Sequence, residues 1–63
     1  MKFKPLPHNT LPTRFNLIKH FRRQAAKHGW EQAAIDNRIK QAQARDYRFL
    51  RGTLSKHFDI PQS

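Results

Sequence analysis

Apolar side chains along this chain recur at helical spacing, and period-2 alternation never lasts long enough to suggest a strand. Turned at about 100° per residue, Leu17, Ile18, Phe21 and Ala25 fall within one arc of about 100°. Asn16, Lys19, His20, Arg23 and Lys27 gather on the opposite side, so this segment has an apolar face and a basic face with no acid on it. Thr10 or Thr13 can cap its start with a hydroxyl, and Gly29 stands where a helix end wants a left-handed residue. A first helix is therefore predicted from one of those threonines to about His28.

A second helix is predicted from about Trp30 to Ala44, where Ile35, Ile39 and Ala42 make a narrow stripe. Glu31 in its first turn suits the helix dipole, and Asp36 with Lys40 makes an i, i+4 pair worth ~0.3 kcal/mol. Asp46 reads as the N-cap of a third helix, along which Tyr47, Leu50, Leu54 and Phe58 form the apolar stripe. Gly52 inside that stripe costs ~1 kcal/mol relative to alanine. Either the helix tolerates it, or it breaks there and Thr53 caps a last short turn. A rival pattern fuses the second and third helices across Asp46, since Ile35, Ile39, Ala42, Phe49, Leu50 and Thr53 also share a face. The break is preferred, because three short helices enclose a core and one long helix leaves much of itself bare.

Residues 1–12 read as extended. Pro5, Pro7 and Pro12 punctuate them, and each biases its predecessor away from the helix. This basic arm, Lys2-Phe3-Lys4-Pro5-Leu6-Pro7, has two readings: a strap that lays Phe3 and Leu6 on the core, or an arm that reaches along a nucleic acid. The predicted architecture is all-α: an extended proline-containing arm (1–12), a small three-helix domain (13–60) and a short tail (61–63). No internal repeat is visible.

Length sharpens this picture. At 63 residues the chain supports one small domain, and such a domain buries only ~60% of the surface its unfolded form exposes. Nearly every large apolar side chain is needed for the core, which leaves little to build a deep catalytic cleft. The absence of cysteine excludes a disulfide scaffold and any cysteine-containing zinc site. No apolar run approaches the ~20 residues of a membrane span, and Lys2 and Lys4 are not followed by the apolar stretch of a secretory signal. A cytoplasmic placement is the simplest.

Enzymatic chemistry is not expected. Of the four carboxylates, Glu31, Asp36 and Asp46 have structural explanations and Asp59 lies near the C-terminus. His8, His20, His28 and His57 are scattered, with no i, i+4 pair to share a metal, and two glycines cannot make a phosphate loop. No metal or other cofactor is implied.

Charge changes the reading most. Thirteen Lys+Arg stand against four Asp+Glu, giving a formal net charge of +9. A solvated exterior explains high charge of either sign, but not a threefold excess of one sign. Binding to a phosphate polymer does, because each neutralised phosphate releases condensed counterions. Arg45, Arg48, Arg51 and Ser55 read as a slanted ridge on the third helix, and guanidinium forks match phosphate oxygens or the guanine edge. Lys19, Arg23 and Lys27, with His20, form a second basic face, and Lys2 and Lys4 would add contacts from the arm. If a helix-turn-helix exists, the second and third helices are the pair, with Arg45–Lys56 as the reader. Phe49, off the stripe, could stack on a base or wedge into a step, but packing against the first or second helix is preferred.

The expected function is a small nucleic-acid-binding protein, DNA ahead of RNA, with a regulatory role. The alternative is an interaction module on an acidic protein surface, anchored by Trp30, Phe49 and Phe3. An amphipathic membrane-surface role is the third reading. Dimerisation would extend both stability and footprint.

Overall fold

A computed structural model describes residues 3–61. Three helices follow one another: α1 (Arg14–Lys27), α2 (Gln32–Ala42) and α3 (Tyr47–Ser55). The fold is all-α, with no strand among the described residues. No helix among them is long and apolar enough to cross a membrane.

Local chemistry sets the breaks. Thr13, not Thr10, caps α1: its side chain accepts from the Asn16 amide at 3.2 Å, while the Thr10 amide donates to the Pro7 carbonyl in a preceding turn. Gly29 ends α1 with φ +85°, a conformation that a Cβ would strain. The chain then turns so sharply that the Trp30 amide returns to the Ala25 carbonyl at 3.0 Å. Helix α2 is shorter than the 30–44 expected, because Glu31 takes the N-cap position instead of lying in the first turn. The Asp36 carboxylate accepts from Gln32 Nε2 at 2.9 Å, one turn back from the expected partner Lys40. Asp46 caps α3, accepting from the Phe49 amide at 3.1 Å, so the second and third helices are separate. Gly52 is accommodated inside α3, with no break at Thr53. Phe58 lies beyond α3, in the turn that follows Ser55.

The core is Leu17, Phe21 and Ala25 from α1, Ile35, Ile39 and Ala42 from α2, and Leu50 and Leu54 from α3, closed by Phe58. Two further members come from the arm: Phe3 and Leu6 are 7% and 2% exposed. The arm is therefore the strap of the first reading. Its Phe3 amide donates to the His57 carbonyl at 2.6 Å and its Leu6 amide to the Asp59 carbonyl at 3.0 Å. These two bonds run the strap alongside the segment after α3. The Tyr47 hydroxyl donates to the Pro12 carbonyl and fixes the far end of the arm to the start of α3.

Candidate nucleic-acid interface

His20, expected on the basic face of the first helix, is half-buried. Its Nε2–H donates to the Lys4 carbonyl at 2.8 Å, and its ring meets the Phe58 ring edge-on at 4.7 Å. It is a clasp for the strap. Lys19 and Arg23 remain exposed and, with Asn16 and His20, form one wall of a groove of about 280 Å³. The strap supplies the opposite wall through Leu6, Pro7 and Thr10. Lys27 is exposed in the last turn of α1, where a cation suits the helix dipole.

Arg48 and Arg51 open onto a second hollow of about 570 Å³, shared with Gly52 and Ser55 of α3 and with Asp59 and Ile60. The expected ridge is shorter than four residues. Arg45 precedes the Asp46 cap, so it lies in the α2–α3 turn and not on the helix, with its guanidinium 5.4 Å from the Phe49 ring centre. Phe49, expected to pack against the first or second helix, is 38% exposed and is not among the buried core side chains. Lys4 is exposed on the strap, and Lys2 lies outside the described residues.

Each hollow shares lining residues with a third. A seam of about 360 Å³ runs between the strap and the residues after α3. Leu6 and Pro7 line both this seam and the α1 groove, while Asp59 and Ile60 line both the seam and the α3 hollow. The Lys19/Arg23 groove and the Arg48/Arg51 hollow thus each share two residues with the seam, and Asp59 lines the seam as well as the α3 hollow.

Sequence reading also missed two features. Phe3 and Trp30, expected as exposed anchors, are buried and half-buried, whereas Leu11 and Phe15 are 72% and 70% exposed. His57 belongs to an aromatic box, its ring 5.8 Å from Phe3, 5.2 Å from Phe21 and 5.6 Å from Trp30. Burial in that box, and then the charges of Arg38 and Lys56, lower the His57 pKa below 6.5. The folded protein therefore disfavours the imidazolium, and the unfolded chain binds more protons. Stability is full above the unfolded value and is lost as pH falls through the folded one. Thermal melts between about pH 7 and 5 should show falling stability, and His57→Phe, which keeps a ring in the box, should flatten this part of the profile. An unchanged slope in that variant would assign the acid sensitivity elsewhere.

Among the described residues no three His, Asp or Glu side chains are gathered to hold a metal ion. No protein-family model matches this chain, and neither a curated protein nor a solved structure matches it significantly.

Proposed function

We propose that this protein is a small basic nucleic-acid-binding protein, with DNA ahead of RNA, acting as a regulator in the cytoplasm. The observation that carries this reading is the pair of cationic hollows, Lys19/Arg23 against the strap and Arg48/Arg51 on α3. Cations lining two separate hollows suit a polymer that repeats its negative charge. Lys27 and Lys4 extend the field, and Arg45 adds a planar fork beside Phe49. Helix α3 would be the reading element, with Arg48 and Arg51 reaching phosphates or base edges. The longest dimension is 32 Å, less than one duplex turn of about 34–36 Å. A monomer covers a short site, and a homodimer would lengthen it.

The role assigned is binding and not catalysis. Asp46 is occupied as a cap and Asp36 by Gln32, while Glu31 stands alone at the N-cap position of α2 with no second carboxylate set beside it among the described residues.

Salt dependence tests the reading. With five phosphates neutralised, by Lys19, Arg23, Lys27, Arg48 and Arg51, log affinity should fall with log salt at a slope of about −4.5. Between about 50 and 200 mM salt the affinity should drop roughly 500-fold. Polarisation titrations on duplex DNA and RNA in parallel give the slope, and one shallower than about −2 would overturn the proposal. The second reading, an acidic protein partner, draws on the exposed Leu11 and Phe15 as anchors. Binding that persists in high salt would favour it.

A further inference from the structure

Phe15 sits in the first turn of α1 and leaves 70% of its surface in water, while Phe3, Phe21 and Phe58 are buried. It stands at the edge of an apolar hollow of about 440 Å³ lined also by Ile18, Lys19, Arg22 and Gln43. The Lys19 ammonium is 6.0 Å from the centre of its ring. No acid lines this hollow. Lys19 is also part of the groove that holds Arg23, so one cation belongs to both surfaces.

An exposed flat ring flanked by cations is complementary to a ligand that carries a flat apolar face and an anion side by side. An unpaired nucleotide is such a ligand. A paired base hides both faces inside the duplex stack, so a duplex can offer Phe15 only sugar and base edges. A second copy of this chain would bring its own +9 charge against Lys19 and Arg22, which opposes self-association through this face.

We propose that Phe15 is a stacking platform for an unpaired base, and that single-stranded nucleic acid is the preferred form of the polymer. The strand's phosphates meet Lys19 and Arg22 beside the ring, and the shared Lys19 leads the strand on to Arg23. This inference rests on the nucleic-acid reading above and specifies the form of that ligand. Phe49 of α3, with Arg45 of the preceding turn at its ring, repeats the pairing of aromatic and cation, although the capping carboxylate of Asp46 lies at that end.

The test compares a mixed-sequence single strand with the duplex of the same sequence by fluorescence polarisation at one low salt concentration. Base stacking on aromatic rings predicts that Phe15→Ala weakens single-strand binding about 5- to 100-fold and changes duplex binding less than about twofold. Phe15→Trp should retain single-strand affinity, and its added indole emission should be quenched on binding, with Trp30 of the unmodified protein as the reference. Thermal melts should be unchanged, since the ring is outside the core. Equal losses on strand and duplex, or no loss on either, would overturn the stacking role while leaving the cationic surface intact. Loss of self-association in Phe15→Ala by sedimentation would likewise overturn it, as the ring would then be a contact between copies. If the unmodified protein binds neither polymer, the broader nucleic-acid reading fails and this inference with it.

Discussion

Replacing Phe3 and Leu6 together by alanine is expected to unfold the domain at room temperature. Each side chain is buried, at 7% and 2% exposure, and each residue's amide bonds to the segment after α3. Truncating a buried Phe or Leu costs about 2–5 kcal/mol through lost burial and the cavity left behind. A domain of this length has a stability of roughly 3–9 kcal/mol, at about 0.05–0.15 kcal/mol per residue. The two losses share one strap and will not add fully. Even so, their combination approaches or exceeds the total. Either single variant should remain folded with a lowered midpoint in urea followed by circular dichroism. Lys4→Ala, exposed on the same strap, should shift stability by less than about 0.5 kcal/mol. A double variant that melts with the parent would show that the three helices hold together without the arm.

The largest effect on binding is expected from reversing Arg48 and Arg51 together to glutamate. Each change alters the charge by two, so the pair takes the formal net charge from +9 to +5. Both side chains border the α3 hollow, so the loss falls on the surface assigned to phosphates. Removing two of five contacts should reduce the salt slope from about −4.5 to about −2.7, and affinity at low salt should fall at least about 100-fold. Lys56→Glu, at the exposed C-cap of α3 and away from the hollow, should weaken binding far less. Because Asp59 shares the hollow, Arg48→Gln with Arg51→Gln serves as the milder variant, which removes charge without adding repulsion. Equal losses for Lys56 and the arginine pair would dismiss the α3 hollow as the contact surface even if binding itself is strong.

What the sequence made legible follows from how local each cause is. Gly29 could be placed because a helix end needs one left-handed residue, and Asp46 because a short carboxylate can reach back to an amide three residues on. The same Asp46 cap implied that Arg45 is outside the third helix, so the four-residue ridge was inconsistent with the helix start it accompanied. Phe15 also carried a signal: it falls outside the arc of Leu17, Phe21 and Ala25, on the solvent side of the periodicity. Phe49 was ambiguous because it belonged to the stripe of the fused-helix pattern and not to that of the separate helix. The strap, the His20 clasp and the His57 box were not readable, apart from the strap as one of two alternatives. Each depends on residues more than a dozen positions apart meeting in space, and no local window records such a meeting.

The bonds from Phe3 to His57 and from Leu6 to Asp59 join parts of the chain more than fifty residues apart. Helical turns form early and locally, whereas this union must close a loop of more than fifty residues, at an entropic cost that grows with the logarithm of its length. On a ribosome the first half can coil as soon as it emerges, but the hydrophobic centre stays open until residues 57–59 have left the exit tunnel. Completion of the native state is thus expected to be a late, cooperative event, set by its longest-range contact and not by its helices.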